Sequence, residues 1–298
     1  MQTFDPNAMK PAFLKAIEAT QKVIETRNVS AKLAMLPSVE ATMSPLTGRD
    51  DLKIKTARTS VLTFNKLLNE FLFNKGRFNG IEFKSFEDFE SKITTQDKEI
   101  LIALLLDASY TKLPKRSAVC PQCNEVTEYD LTVAELFNNP ETKIPTWEYE
   151  EPVYEKVFTR TFFDGVLTVN IVAPTEAKKN EIYNIMSYDN IRKNLIEKGQ
   201  ALDSTDTLLM FIKSIEISYT NEQKKSETLE LSNLVTDIKP YLDNAPLEVH
   251  EVINGFINEI FDKYVLDFKA EVVCSHCGHK FNVSVSPESE FFRKAFSI

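Results

Sequence analysis

Two Cys-x-x-Cys motifs constrain this chain more than any other feature of its sequence. The first is Cys120-Pro-Gln-Cys123, the second is Cys274-Ser-His-Cys277, and together they contain all 4 cysteines of the 298 residues. A Cys-x-x-Cys turn directs two thiolates to one side, so two such turns can complete a tetrahedral shell of four sulfurs around zinc. We therefore predict that Cys120, Cys123, Cys274 and Cys277 bind one structural Zn²⁺ ion.

Each motif lies between two segments whose residues predict β-strands. Ala118-Val119 precedes the first motif, and Val126-Thr-Glu-Tyr129 follows it. A strand-like segment from Phe268 to Val273 precedes the second motif, and the segment from Phe281 to Val285 alternates at period two after it. This arrangement is typical of a zinc ribbon built from two knuckles, but here the fold must bring remote segments together.

Other interpretations of the four cysteines are open from sequence. They could form redox dithiols or stay as free thiols, but a thioredoxin-like dithiol usually opens a helix, whereas Gly278 and a predicted strand follow the second motif. The motifs could also form two separate sites, the second of which would use His276 or His279. Because no histidine lies near the first motif, we favour one shared site.

The composition and charge of the chain argue against several classes of function. The chain carries a net charge of −9, which argues against general nucleic-acid binding, since affinity for phosphate comes from clustered Lys and Arg. The first residues lack a basic and an apolar region, so we expect no secretory signal. The longest apolar run, Ile100–Leu106, is much shorter than the ~20 residues of a membrane span. We expect a soluble protein whose partners are other proteins.

The order of the predicted elements indicates a duplicated unit. In each half of the chain, a predicted strand is followed by several helices, then by a Cys-x-x-Cys motif and a second strand. We predict an α+β fold in which two such units share the zinc ribbon. The predicted boundaries are a helical arm at 1–32, a first unit at 33–136, a linker at 137–152 and a second unit with a C-terminal tail at 153–298. Coincidental alternation of helices and strands is the other interpretation.

Periodicity also predicts individual elements. These are helices at 8–28, at 59–74, at 94–110, around Leu208 to Ile212 and from Pro246 to Ile260, a strand at Asp51–Lys55, a hairpin at 157–172, and strands at Ile215–Tyr219 and Thr228–Leu231. Trp147, the only tryptophan, is predicted to anchor the linker on the core rather than on a partner.

Catalytic motifs are not found. The chain contains no Gly-x-x-x-x-Gly-Lys-[Ser/Thr], Gly-x-Gly-x-x-Gly, His-Glu-x-x-His or Gly-x-Ser-x-Gly sequence. Of the histidines, His276 and His279 lie in or beside the second cysteine motif and His250 lies on a predicted helix, which leaves little for general acid–base catalysis. We expect no enzyme, no catalytic residues and no small-molecule substrate.

The order of several short motifs resembles that of a known family. These motifs are Leu36-Pro37-Ser38, Thr56-Ala-Arg58, Asp107-Ala-Ser109-Tyr110, Cys120-Pro121-x-Cys123, Cys274-x-x-Cys277-Gly278 and Phe291-Phe292. In this order, over residues 33 to 296, the chain resembles the T4-type bacteriophage baseplate proteins, the hub-associated or hub-assembly proteins of contractile tails. It departs from the family pattern at Leu106-Asp107 and Thr111, where Arg before Ser-Tyr and Gly after it are expected.

The resemblance implies a virion or assembly protein that is made in the bacterial cytoplasm and works at the tail baseplate. Its partners would be other baseplate, hub and tail-tube proteins within a hetero-oligomeric assembly. We regard the N-terminal helix and the Phe-rich C-terminus as its candidate contact surfaces. The alternatives are a zinc-ribbon accessory factor in transcription or nucleic-acid processing, and a transient chaperone of baseplate assembly.

The first prediction concerns the N-terminal arm. Deletion of residues 1–30 is expected to abolish incorporation into the baseplate and to leave a folded, zinc-loaded monomer, because the arm lies outside both predicted units. Metal content and circular dichroism of the purified variant, together with its presence in assembled particles, check this. Normal incorporation of the shortened chain would rule out the arm as a contact surface.

Overall fold

The computed structural model describes residues 30–57, 61–110, 113, 115–145, 153–162, 165–185, 204–220, 225–262 and 265–296. These residues form a mixed α+β fold, which confirms the predicted class. The predicted N-terminal helix at 8–28 and Trp147 lie outside the described residues.

The described strands form four antiparallel sheets. A three-stranded sheet has the order β1 (Ala31–Lys32), β2 (Glu40–Met43) and β3 (Gly76–Asn79). The hairpin of β4 (Arg116–Val119) and β5 (Val126–Tyr129) surrounds the first cysteine motif. A four-stranded meander has the order β6 (Glu155–Phe162), β7 (Gly165–Val172), β8 (Ile212–Thr220) and β9 (Ser226–Leu231). The last hairpin, of β10 (Phe268–Val273) and β11 (Lys280–Val285), surrounds the second motif.

The helices of the described residues lie before, between and after these strands in the sequence. They are α1 (Gly48–Ala57), α2 (Val61–Lys75), α3 (Phe86–Lys92), α4 (Thr95–Ser109), α5 (Val133–Asn138), α6 (Glu176–Ile185), α7 (Ser204–Leu209), α8 (Lys239–Asn244), α9 (Leu247–Phe261) and α10 (Pro287–Phe296), with a π-helical turn at Leu234–Ile238 before α8. Helices α2, α4 and α9 fall where periodicity predicts them.

Helix α4 lies at the centre of the structure. Thr94 and Asp97 form a capping box at its start, which satisfies backbone N–H groups that a helix leaves without partners. Every residue from Ile100 to Leu106 is buried, so apolar neighbours surround this part of the helix. Asp97 also accepts a hydrogen bond from the backbone N–H of Met35 at 2.7 Å. Burial raises the pKa of Asp97 to about 6.

The buried apolar residues form two clusters. The first contains side chains from residues 33–136 together with four from the end of the chain: Phe268, Ala270, Val285 and Phe291. The second contains Met35 and side chains from residues 158–261. The predicted second unit, 153–298, therefore contributes to both clusters, because its last part packs against the first unit.

The second cluster lies beneath the four-stranded sheet. Side chains on one face of β7, among them Leu167, Val169 and Ile171, are buried, as expected for a strand whose side chains alternate between core and solvent. Helix α9 covers this face, and the rings of Phe158 and Phe256 stack with centroids 4.7 Å apart. The predicted hairpin at 157–172 corresponds to β6 and β7.

Asp51–Lys55, predicted as a strand, is helical and belongs to α1. The prediction is wrong because alternation over five residues is a weak signal beside the local capping contacts. Thr47 donates its backbone N–H to the Asp50 carboxylate at 2.8 Å, and Asp50 also pairs with Lys75 at 2.8 Å. Helical spacing buries Ile54 and leaves Leu52 64% exposed.

Two further expectations need correction. The helix predicted around Leu208 to Ile212 ends at Leu209, because Ile212 is already the first residue of β8. The Phe-rich C-terminus was expected to be a contact surface, but Phe291 is only 1% exposed and its ring lies 6.1 Å from that of Phe64. An amphipathic helix in this position buries its apolar face in the core. The side chains of Phe292 and Phe296 lie outside the described ones.

The predicted linker at 137–152 is partly tied to the C-terminal segment. Lys143 and Asp267 exchange two backbone hydrogen bonds, of 2.9 and 3.0 Å, and Ile144 packs against the first cluster. Residues 146–152 lie outside the described part. Among the described helices, none combines the length and apolar character needed to cross a membrane.

The second prediction tests the packing of the C-terminal helix. Phe291→Ala is expected to lower the free energy of unfolding by about 3–5 kcal/mol, because it removes a fully buried ring and leaves a cavity. Chemical denaturation monitored by circular dichroism measures this. Leu247→Ala is the matched control: its side chain is 81% exposed, so the change should stay within about 0.5 kcal/mol. Equal effects in the two variants would contradict the packing of Phe291 in the core.

Candidate metal centre

The first hairpin places Cys120 and Cys123 on a tight turn at the end of β4. The backbone N–H of Asn124 donates to the carbonyl of Cys120 at 2.9 Å, and the N–H of Cys120 donates to the carbonyl of Glu125 at 2.9 Å. Asn124 has a φ of 60°, in the left-handed region that Asn tolerates better than most residues. The chain therefore reverses within the motif, and both sulfurs lie on one side.

The second hairpin repeats this geometry residue by residue. The N–H of Gly278 donates to the carbonyl of Cys274 at 2.9 Å, and the N–H of Cys274 donates to the carbonyl of His279 at 2.9 Å. Gly278 has a φ of 72°, so it occupies the position of Asn124 in the first turn. Here glycine satisfies the same backbone requirement without strain.

The strands beside the two turns also share one register. Val119 pairs with Val126 in the first hairpin, and Val273 pairs with Lys280 in the second. In each hairpin these are the last pair before the turn, and each pair begins one residue before the first cysteine. The two hairpins are thus locally alike.

The four sulfurs converge although they come from distant parts of the chain. The Sγ atoms of Cys120 and Cys277 are 3.7 Å apart, those of Cys123 and Cys274 are 3.6 Å apart, and all four lie within 4.8 Å of one another. Sulfurs at the corners of a tetrahedron around zinc, each about 2.3 Å from the ion, lie about 3.8 Å apart. A disulfide requires about 2.0 Å, so all four cysteines are free. The sulfur set fits one tetrahedral metal ion.

The thiols affect one another's ionisation. The backbone N–H of Cys277 lowers the pKa of Cys274 to about 6. The N–H of Glu125 favours the thiolate of Cys123, but burial and the neighbouring thiols together raise the pKa of Cys123 to about 12. Four negative sulfurs at this spacing repel one another, so a divalent cation is needed for all four to ionise together.

Polar contacts join the two hairpins beside the sulfurs. Thr127, which is 1% exposed, donates its hydroxyl to that of Ser275 at 2.9 Å, and the backbone N–H of Ser275 donates to the hydroxyl oxygen of Thr127 at 2.9 Å. Beyond the hairpins, the amide of Asn139 donates to that of Asn282 at 2.9 Å. These bonds fix the relative position of the turns and hence of the sulfurs.

The histidines do not join the sulfur set. Among the described residues, the one group that could hold a metal contains the four cysteines alone. The ring of His279 stacks on Phe281 with centroids 6.0 Å apart, His276 is exposed, and His250 bonds to the carbonyl of Leu242 at 2.8 Å. The geometry therefore favours one shared site over two separate sites that use His276 or His279.

Sequence reasoning missed a cluster of buried charges on α4, α6 and α10. Lys98 is 1% exposed and pairs with Glu176, which is 0% exposed, at 2.8 Å. One signal was present in the sequence: Lys98 lies two residues before the apolar run Ile100–Leu106, which predicts a buried helix. Such a lysine needs a buried partner.

Comparison with protein-family models, curated proteins and solved structures finds no match to this chain. The geometry of the four sulfurs is therefore the main basis for a functional proposal.

The third prediction concerns these sulfurs. Cys274→Ser is expected to abolish stoichiometric zinc binding and to lower the melting temperature, because three remaining thiolates leave the ion incompletely held. Metal analysis of the purified protein and differential scanning calorimetry check this. Ser284→Ala, on the exposed side of β11, is the matched control and should retain both properties. Unchanged zinc content and melting temperature in Cys274→Ser would exclude a metal that joins the hairpins.

Proposed function

We propose that the four cysteines hold one structural Zn²⁺ ion and that the protein is a scaffold of a contractile phage tail baseplate. The observation that carries the first part is the convergence of Cys120, Cys123, Cys274 and Cys277 within 4.8 Å. Zinc is the ion that this donor set suits best, because tetrahedral shells of four thiolates are typical of structural zinc.

The metal would act as a link rather than as a reaction centre. Four cysteine ligands close a tetrahedral shell, and neither water nor substrate then has a coordination position. When bound, the ion compensates the charge of the thiolates; the turns hold the sulfurs in place through the backbone bonds of Cys120 and Cys274. The link fixes the C-terminal segment to the part of the chain that precedes the four-stranded sheet.

The likeness of the two hairpins supports the proposal that the zinc ribbon arose by duplication of one knuckle. Both turns have a left-handed residue after the second cysteine, and both have the same strand register. Support for duplication of the larger units is weaker, because the sheets before the two motifs have three and four strands and different orders of elements.

Binding to other proteins is the activity that a closed metal site and its surroundings support. Three valines next to the cysteine motifs expose more than half of their surface: Val119 59%, Val126 58% and Val273 51%. Val119 and Val126 are cross-strand partners and therefore share one face of the hairpin. Together with the order of the motifs that resembles the baseplate family, this apolar face supports a role in assembly through contacts with baseplate, hub or tail-tube proteins.

A nucleic-acid-binding zinc ribbon has less support. Basic side chains of the hairpins lie beside carboxylates: Lys280 is 3.2 Å from Glu271, Lys269 is 2.8 Å from Asp267, and Lys115 is 3.7 Å from Glu128. Phosphate affinity requires an excess of basic groups on one surface, whereas the whole chain carries a net charge of −9.

The fourth prediction tests the assembly role. In the phage that encodes this chain, the variant Val119→Asp/Val126→Asp is expected to fold and bind zinc but to yield tails with incomplete baseplates, because it places two charges on the apolar face. Electron microscopy of the lysates and mass spectrometry of purified particles measure this, with Val157→Asp, also on an exposed strand position, as the control. Complete baseplates with the double variant would contradict a contact through this face.

Presence of the chain in finished particles would identify a resident subunit, and its presence in assembly intermediates alone would identify a transient chaperone. A gel-shift at low salt tests the nucleic-acid alternative, and a salt-sensitive complex with DNA or RNA would favour it over the assembly role.

A further inference from the structure

A second polar site lies where α4, α6 and α10 meet, and it involves none of the cysteines. The ammonium group of Lys98 donates to Asn65 at 2.5 Å and to Glu176 at 2.8 Å. Glu176 also accepts a hydrogen bond from Asn69 at 3.1 Å. Its pKa is lowered to about 2, because the charges of Lys98 and Lys179 and these hydrogen bonds outweigh the effect of burial. Lys98 and Glu176 therefore form a compensated ion pair.

Beside this pair is a cavity of about 340 Å³. Its apolar side is lined by Val265 and Leu266, and its polar side by Thr95, Gln96, Lys98, Glu99, Lys179 and Glu288. The volume lies within the range of about 300–1,000 Å³ that is usual for small-molecule sites. Two ammonium groups and two carboxyl groups thus meet at one cavity next to a short apolar wall.

The ammonium group of Lys179 makes no hydrogen bond to the described residues, although Lys179 is only 9% exposed. Its Nζ lies 3.8 Å from Glu176 and 3.7 Å from Glu288, both beyond hydrogen-bond distance. The ammonium of Lys98 is likewise 3.7 Å from Glu288. A buried ammonium with unused donors is costly, so the cavity offers hydrogen-bond donors for which the described residues supply no acceptor within hydrogen-bond distance.

The acidic side of the cavity is arranged differently. Glu99 accepts the backbone N–H of Glu288 at 3.0 Å and the hydroxyl of Ser286 at 3.2 Å, both at the start of α10. Burial first, and then the charge of Glu288, raise the pKa of Glu99 to about 7. A positive group near Glu99 and Glu288 would offset their mutual repulsion.

Neither sign of charge alone suits this site. An anion would reach the donors of Lys179 but would also face the carboxyl groups of Glu99 and Glu288. A cation would suit these carboxyl groups but would face two ammonium groups. A molecule that carries both a carboxylate and an ammonium can satisfy both sides, and Val265 and Leu266 can contact an apolar remainder.

We propose that this cavity binds a small zwitterionic amino acid with an apolar side chain, its carboxylate toward Lys179 and its ammonium toward Glu288 and Glu99. This function is independent of the metal centre and of the assembly role, and it differs from the expectation, drawn from sequence, of a protein without small-molecule ligands. A binding role is sufficient, and no reaction is implied.

The fifth prediction compares leucine with two analogues that keep its branched side chain and each lack one charged group. Isothermal titration calorimetry on the full-length, zinc-loaded protein is expected to show saturable binding of L-leucine. The acid 4-methylpentanoate lacks the amine, and 3-methylbutylamine lacks the carboxylate. Each should bind about 10- to 100-fold more weakly, the range expected for the loss of hydrogen bonds to one charged group. Glycine, without an apolar side chain, should also bind more weakly than leucine.

Substitutions of single lysines test whether leucine binds in this cavity. Lys179→Met is expected to weaken leucine binding by about 10- to 100-fold. Lys213→Met is the matched control: Lys213 pairs with Glu155 at 2.8 Å on the exposed surface of β8, so leucine binding should not change. Circular dichroism and zinc content establish that both variants are folded.

Several results would overturn the proposal. They are the absence of saturable leucine binding to the wild-type protein, equal binding of leucine and 4-methylpentanoate, and equal binding by the wild-type protein and a folded Lys179→Met variant. The comparison of probes on the wild-type protein decides the matter even if Lys179→Met does not fold. Failure here would leave zinc binding and baseplate assembly untouched, because their tests use other residues and other measurements.

Discussion

The return of the C-terminal segment to the first hydrophobic cluster is the constraint on which the rest of the structure depends. Cys123 and Cys274 are 151 positions apart, yet their sulfurs lie 3.6 Å from each other. Closing a loop of this length costs about 4 kcal/mol in chain entropy. The burial of Phe268 and Phe291 opposes this cost, and structural zinc contributes about 10–16 kcal/mol in small zinc-finger peptides. Core packing and the proposed metal ion would thus act on the same closure.

Polar contacts connect the two hydrophobic clusters. The backbone N–H of Thr95 donates to Pro174 at 3.0 Å, and that of Glu176 donates to Ile93 at 2.9 Å. Together with the pair of Lys98 and Glu176, these bonds join the start of α4 to the start of α6. Removing one partner of such a buried ion pair leaves an uncompensated buried charge. This destabilises the fold more than replacing both partners with apolar residues. The junction therefore requires two oppositely charged residues that are distant in sequence. The apolar clusters differ, because they tolerate substitution by other apolar side chains of similar volume.

Several features could be predicted from sequence because their signals are local. The four cysteines were predicted to converge because paired Cys-x-x-Cys turns suit one tetrahedral ion, and the α+β class followed from periodicity. Helix α4 has a capping signal at Thr94 and a long apolar run. Features that depend on tertiary partners were missed. The helix that contains Asp51–Lys55 is tied by Asp50 to Lys75, 25 positions later, and the partner of Lys98 is Glu176, 78 positions later.

The division of the core also has a consequence for the order in which the protein can be assembled on the ribosome. The second cluster draws its side chains, apart from Met35, from a continuous stretch, so it can form as soon as that stretch has emerged. The first cluster needs Phe268, Ala270, Val285 and Phe291, which are synthesised after that stretch. Nascent chains therefore expose an incomplete apolar surface until these four residues have emerged, and premature termination shortly before residue 268 would leave it permanently uncovered.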